Sequence, residues 1–254
     1  MSRGTRHRKN HGNQKMNRFV FVMPAYNASK TIARSILSVW FQTYPNWKII
    51  IRDDVSTDNT VEIIENLKIH LGISDDRISV KKNTEKKWEV GNILDMLEEI
   101  DASDIVCRLD GDDWLCDCDA LTIIDACYRQ LNVDVLWTGH RWSFNAHNIS
   151  DKLPKDANPY EHPWVSSHLK TFRKKLIEGV ADANFKGEDG EYFKRIGDQA
   201  IYLPVLHQAK GNWHYLPLTA YHYTIDVDPE TFQTIDAKFQ QSEAEYLRSR
   251  GYVK

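Results

Sequence analysis

Residues 18–60 read RFVFVMPAYNASKTIARSILSVWFQTYPNWKIIIRDDVSTDNT. The stretch opens on a short apolar run, Arg18–Met23, which reads as a buried strand. Over Ser29–Gln42 the apolar positions Ile32, Ala33, Ile36, Leu37, Trp40 and Phe41 recur at helical spacing, with Ser29 placed to cap the helix. Trp47–Arg52 is a second apolar run. Strand, helix, strand in this order is the unit of a parallel sheet, because parallel neighbours need a crossover connection. The alternation continues downstream. Thr60–Leu71 reads as a helix capped from Ser56, Thr57 or Asp58 and stopped by Gly72. Arg77–Lys81 is a short strand, Glu89–Ile100 a helix, Asp104–Leu109 a strand, Ala120–Leu131 a helix and Val133–Thr138 a strand. The expected fold class is α/β, a mostly parallel sheet with helices on both faces.

From about residue 139 the alternation weakens. Residues 139–163 read as loop, and Trp164–Ile177 as a helix with a basic side of Lys170, Arg173, Lys174 and Lys175. That side is solvated by default, or it meets an anionic acceptor or membrane surface. Gln199–Ala209 is a helix interrupted by Pro204, Trp213–Leu216 and Thr219–Ile225 are strand-like, and Glu230–Arg250 is a C-terminal helix. The expected organisation is a disordered basic tail over 1–17 and one domain over 18–254, with a ligand half at 18–138 and an acceptor-side α+β half at 139–254. The chain has 254 residues and a net charge of −3. Six Lys/Arg fall within residues 1–18, so the rest carries −9, a balance that speaks against a general nucleic-acid binder. No apolar run reaches the ~20 residues of a membrane span, and no leader-like apolar segment follows the basic start. The expectation is therefore a cytoplasmic protein with no transmembrane anchor. The four Cys, at 107, 116, 118 and 127, lack zinc-knuckle spacing and read as buried or half-buried thiols.

In open parallel sheets ligands bind beyond the carboxyl ends of the strands. Three such ends carry polar residues. The first is Pro24-Ala25-Tyr26-Asn27, where Pro24 fixes the turn and Tyr26 offers a ring to a base. The second places Asp53 and Asp54 directly after a strand, beyond anything helix capping requires, and a carboxylate there can accept a nucleobase N–H. The third is Leu109-Asp110-Gly111-Asp112-Asp113-Trp114. Two close carboxylates repel unless a cation sits between them, and Mg2+ or Mn2+ would keep positions open for phosphate. Gly111 allows close backbone approach. An aromatic, a base-reading carboxylate and a metal pair together describe a nucleoside diphosphate pocket.

Taken together and in this order, MPAYN (23–27), DDVSTDNT (53–60) and LDGDD (109–113) resemble the family 2 glycosyltransferases, whose fold is the Rossmann-like GT-A fold. The resemblance implies an inverting, metal-dependent transfer of a sugar from a nucleotide-sugar donor, by family habit a UDP-sugar, to a glycan, lipid-linked or protein hydroxyl. It implies that Pro24, Ala25, Tyr26, Asn27, Asp53, Asp54, Asn92, Asp110 and Gly111 line the donor, and that Asp110 and Asp112 hold Mn2+ or Mg2+. His222 is the candidate for a further metal ligand. Asp198, in Gly197-Asp198-Gln199-Ala200, matches the late Asp motif and is the expected base, with Asp189 and Glu188 as rivals. Two departures stand out: Val55 replaces a usual Gly, and Val90-Gly91-Asn92 stands where Ala-Arg-Asn is common. The aromatic series Trp137, Trp142, Trp164 and Trp213 reads mainly as core, with sugar-stacking as the other role. The Gly-x-Gly-Thr-Arg loop of nucleotidyltransferases, the G-x-G-x-x-G of dehydrogenases and the P-loop are all missing after the first strand. The remaining alternative is a non-catalytic nucleotide- or sugar-binding module of degenerate glycosyltransferase origin.

Overall fold

The apolar run at residue 19 is a strand buried on both faces. In the computed structural model, which describes residues 16–143, 145–224 and 236–254, it forms β1 (Phe19–Ala25). It is followed by α1 (Ile32–Trp40), β2 (Trp47–Asp53), α2 (Thr60–Leu71), β3 (Ile78–Lys82), α3 (Trp88–Leu97), β4 (Ile105–Arg108) and β5 (Trp114–Leu115). Then come α4 (Ala120–Leu131), β6 (Val135–Trp142), β7 (Lys170–Arg173), α5 (Gly197–Ala209), β8 (Trp213–Tyr223) and α6 (Asp236–Arg250). The strands form one eight-stranded sheet in the order β3-β2-β1-β4-β7-β6-β8-β5. β1 lies parallel to β2 and β4, and β2 parallel to β3. The α/β expectation holds, and the sheet runs unbroken through both halves of the chain.

Side chains alternate across a strand, so β1 feeds two cores. Phe19, Phe21 and Met23 join Ile32 and Ile36 of α1, Ile64 of α2 and Ile124 of α4. Val20 and Val22 join Val90 and Ile93 of α3, Ile201 of α5 and Leu247 of α6. The parallel register sets Ala25 beside Asp53 and Val22 beside Arg108. Tyr26, Asp54 and Asp110 therefore emerge on one edge of the sheet.

Several local expectations are corrected. Residues 164–177 are not a helix. Lys170–Arg173 is β7, inserted antiparallel between β4 and β6 and followed by a short 3₁₀ turn at Lys174–Leu176. Leu169, Phe172 and Leu176 mimic helical spacing, but an extended chain sends Leu169 and Phe172 to opposite cores. Lys170 is consequently 1% exposed rather than part of a solvated basic face. α1 begins at Ile32, and Ser29 does not cap it: its N–H donates to Asp58 instead. Asn59 is the N-cap of α2 and makes no side-chain cap bond. The two C-terminal strand pieces are one strand, β8. It passes Pro217 where its pairing with β6 shifts register, after Leu216 and before Thr219. Asn17, assigned to the tail, is tied down: its side chain donates to Asp125 and its carbonyl accepts from Tyr44 and Asn46. Residues 1–15, Ile225 and 230–235 of the C-terminal helix lie outside the described residues. Of the cysteines, Cys107 is buried and Cys118 is exposed, contrary to the expectation for the latter.

Candidate active site

The loops after β1 and β2 are laced together. Asn27 turns the chain at φ +49°, and its Oδ1 accepts the Thr57 N–H at 2.9 Å and the Thr57 hydroxyl at 3.2 Å. Asp58 bridges the loops, accepting from Ser29 N–H at 3.0 Å and from Thr60 N–H and hydroxyl at 3.1 and 2.6 Å. Partial burial works the other way, yet these hydrogen bonds lower the Asp58 pKa to about 2. Asp53 faces inward, fully buried, and accepts the Ser56 N–H at 3.0 Å, so it shapes the turn. Asp54 accepts from three donors of the loop before α3 and its first turn. Its Oδ1 accepts from Asn83 at 2.9 Å and Lys87 N–H at 2.8 Å, and its Oδ2 from Trp88 N–H at 3.0 Å. Three donors leave one lone pair of a carboxylate open for a further N–H. Val55 stands at φ +67°, a conformation a β-branched residue rarely takes, which gives a physical reason for the Gly it replaces. Tyr26 is 51% exposed, with the Lys86 ammonium 3.6 Å from its ring centroid. Asn92 is buried and points at Asn83, accepting from it at 2.7 Å, so it supports Asp54 at one remove.

The end of β4 lies against this edge. Gly111 N–H donates to the Pro24 carbonyl, and a Cβ at 111 would press on Ile32, Ala25 and Pro24. Asp113 is turned inward, accepting the Tyr221 hydroxyl at 2.6 Å and Thr224 N–H at 2.7 Å. Burial, with Asp112 and Asp110 nearby, raises its pKa well above the carboxylate range. Asp110 and Asp112 are the two carboxylates of the motif that reach the surface.

Beneath them lies a buried charge network. Arg108, two residues before Asp110 on the same strand face, places its Nε and Nη2 on the Asp110 carboxylate at 3.1–3.3 Å. The same guanidinium pairs with Glu89 of α3 and with Asp198, in the first turn of α5. Lys170 reaches Asp198 at 2.8 Å and His168 Nδ1 at 3.0 Å, and His168 Nε2 stands 3.7 Å from Asp198. Burial depresses the Lys170 pKa, with Arg108 adding to it; burial, then Lys170 and Arg108, depress that of His168. Burial raises the Glu89 pKa against the pull of Arg108. His168 also stacks on Tyr221 and Tyr223, at ring-centroid distances of 4.6 and 5.1 Å. The structure thus brings together Asp110 and Asp198, 88 positions apart, through one cation.

Other candidates stand apart. Glu188 and Asp189 sit on an exposed turn, where Asp189 accepts the Glu191 N–H and approaches Lys194 at 4.0 Å. His222 is stacked on Trp114 at 3.5 Å, and its Nδ1 accepts from Arg141 at 3.2 Å. Burial, with Arg141 and Arg34 nearby, lowers its pKa to about 4. Asp110, Asp112 and His222 do not converge as a three-ligand set among the described residues; Asp117, Cys118 and Asp119 do, on a surface turn before α4. The fit of Asp110 and Asp112 to a hard cation rests on charge. Asp110 and Asp112 carry two carboxylates one residue apart at the surface, hard oxygen donors whose mutual repulsion a divalent ion would relieve.

Asn83, Glu89, Arg108, His168 and Lys170 belong to this site and were not singled out as site residues from sequence. A charged residue inside an apolar run, as in DIVCRL and SSHLKTF, is the available signal. No helix among the described residues is long and apolar enough to cross a membrane.

The glycosyl transferase family 2 model matches residues 20–181. WfgD of Escherichia coli, named as a UDP-Glc:alpha-D-GlcNAc-diphosphoundecaprenol beta-1,3-glucosyltransferase, is 44% identical over 70 residues. That match covers 28% of this chain and 25% of WfgD, so the similar stretch spans a quarter of that relative. Among solved structures, S. aureus TarS 1–349 in complex with UDP-GlcNAc superposes with a TM-score of 0.62 at 18% identity, covering 91% of this chain and 71% of TarS. The mannosyltransferase PcManGT from Pyrobaculum calidifontis, in complex with GDP-Man and Mn2+, gives 0.62 at 15% identity over 94% of this chain and 66% of its own. These structures share the GT-A fold. The chain belongs to glycosyl transferase family 2.

Proposed function

We propose that this family 2 chain transfers a sugar, with inversion, from a nucleoside diphosphate donor to an acceptor hydroxyl, with Asp198 as the base. The observation that carries the reading is the meeting of the Asp110 strand end with Asp198 around Arg108. A displacement needs a held leaving group on one side of the anomeric carbon and a proton acceptor on the other. Tyr26, Asn27 and Asp54 form the nucleoside side, where Asp54 keeps one lone pair for a base N–H. Asp110 and Asp112 form the diphosphate side. A divalent ion there, Mn2+ or Mg2+, would neutralise charge on the leaving diphosphate. Asp198 receives the acceptor proton through Oδ2, since Arg108 and Lys170 occupy Oδ1. Glu188 and Asp189, on their exposed turn, fit an acceptor-side rim better than the base.

UDP is the preferred carrier, supported by the name of WfgD and the UDP-GlcNAc bound in TarS. WfgD's name also supports a lipid-linked sugar as acceptor; a cytoplasmic enzyme would meet such an acceptor at a membrane surface. A groove of about 530 Å3 along α3, with Trp88, Tyr192, Asp95 and Lys194 on its walls, offers an acceptor glycan aromatic and polar contacts.

The test is calorimetric titration with UDP, GDP, CDP and dTDP, each with Mn2+ and with EDTA, followed by turnover of Asp198→Asn. Metal-dependent binding of one diphosphate, with turnover down at least ~100-fold in D198N and donor affinity kept, is the expected result. Binding without transfer in the wild type would support the degenerate-module alternative. Near-normal turnover of D198N would move the base to Asp189 or Glu188.

A further inference from the structure

We infer that Arg108 is a positioning residue that sets the geometry between the donor-holding Asp110 and the base Asp198, with Glu89 as its clamp. The inference rests on the functional reading above. It starts from placement. Arg108 is 8% exposed, and all three of its charged partners come from different parts of the chain. Asp110 lies just beyond β4, Glu89 in α3, and Asp198 at the first turn of α5. A guanidinium is planar and presents its donors in a rigid fork. Nε and Nη2 hydrogen-bond Asp110, while Nη1 stands in ion-pair contact with Asp198 and Nη2 with Glu89.

Gly197 makes the room that Glu89 occupies. Its carboxylate occupies the space where a Cβ at position 197 would stand, which only Gly197 leaves open. Carboxylate, glycine and guanidinium are therefore one fitted unit across the α3–α5 contact. The consequence is mechanical. A donor held at Asp110 and an acceptor deprotonated at Asp198 keep a fixed separation because one rigid group touches both carboxylates. Misplacement of a catalytic group by about 1 Å can slow a reaction ~100-fold. Lysine supplies the charge but not the fork, so charge and geometry are separable here.

The experiment compares wild type, Arg108→Lys, Arg108→Ala and Glu89→Gln. Readouts are UDP dissociation constant with Mn2+, kcat and KM for transfer from the UDP-sugar that the wild type uses, and recovery of R108A by added guanidinium. The expected result is a kcat loss of roughly 100-fold in R108A and at least ~10-fold in R108K, with the UDP dissociation constant changed less than ~5-fold. Guanidinium should restore part of the R108A rate but none to R108K, whose ammonium fills the site. E89Q should lose kcat by about 3–10-fold with KM unchanged. A folded R108K with wild-type kcat overturns the inference, as does an R108A or E89Q defect confined to donor affinity. If R108A does not fold, R108K and E89Q decide by the same criteria. A wild type that neither binds nor turns over any nucleoside diphosphate sugar overturns the functional reading, and this inference with it.

Discussion

Gly197→Ala is a small change with an outcome that depends on a residue 108 positions away. Gly197 is the first residue of α5, with no left-handed φ that would demand glycine. Taken alone, Ala there should stabilise the protein by about 0.4–1 kcal/mol, because it narrows the unfolded ensemble. The new Cβ, however, overlaps the Glu89 carboxylate. Glu89 is the far end of a flexible side chain and must swing away, breaking its pair with Arg108. Leaving a buried donor short of an acceptor costs roughly 1–3 kcal/mol, and more when the donor is charged. Arg108 retains Asp110 and Asp198, so the loss belongs at the lower end of that range. The net expectation is destabilisation by about 1 kcal/mol, a fall in Tm of about 2–4 °C for a chain of this size. In a Glu89→Ala background nothing is displaced, and the same substitution should stabilise by about 0.4–1 kcal/mol. Urea denaturation of the four proteins of this cycle, followed by circular dichroism, measures the coupling, expected near 1.5–2 kcal/mol. If Gly197→Ala has the same effect in both backgrounds, Glu89 does not occupy the space beside position 197, and the fitted unit described above does not exist.

Three further outcomes are expected. Val55→Gly should raise stability by about 0.5–1 kcal/mol, since a left-handed L-residue costs ~1–2 kcal/mol against ~0.5–1 for the freedom of glycine; a thermal melt with unchanged or lower Tm would refute the strain at φ +67°. Asp58→Ala should lose the bonds to Ser29 and Thr60, and its cost should depend on pH. The folded pKa of about 2 lies below the ordinary 3.8, so the contribution of Asp58 is fully present above about pH 4 and fades as pH falls through 2. Wild-type and variant stabilities measured from pH 6 to pH 2 should converge at the acid end, and a constant gap would sink the assignment. Asp112→Ala, at an exposed position, should leave stability within ~0.5 kcal/mol yet remove the Mn2+-dependent part of UDP binding; an unchanged Mn2+ effect would place the ion elsewhere.

The parallel half of the fold was legible because each element there is internally consistent. The Ile32–Trp40 stripe carries a period that a helix satisfies, RFVFVM and WKIIIR are apolar runs of strand length, and the strand ends place Tyr26, Asp54 and Asp110 on one edge. The antiparallel insertion was not legible, because Leu169, Phe172 and Leu176 satisfy a helix as well as a strand. What decides between them is the gap between β4 and β6, which β7 fills. The same limit applies to the site. Asp54, Asp110 and Asp198 announce themselves as carboxylates at element ends, but Asn83 and Glu89 acquire roles only through partners distant in sequence. Asp53 and Asp54 are alike in sequence and opposite in structure, one folded into its own turn and the other holding the Asn83–Trp88 loop, because adjacent residues leave a strand on opposite sides. Yet Arg108 and Lys170 carry a signal independent of partners. A cation inside an apolar run must either leave the sheet or find an anion within it. Arg108 lies next to β1 in the middle of the sheet, where leaving is closed to it, and Lys170 lies beside it on β7. Two buried cations on neighbouring strands therefore require acidic partners from outside the sheet. The helices packed on that face, α3 and α5, are where Glu89 and Asp198 supply them.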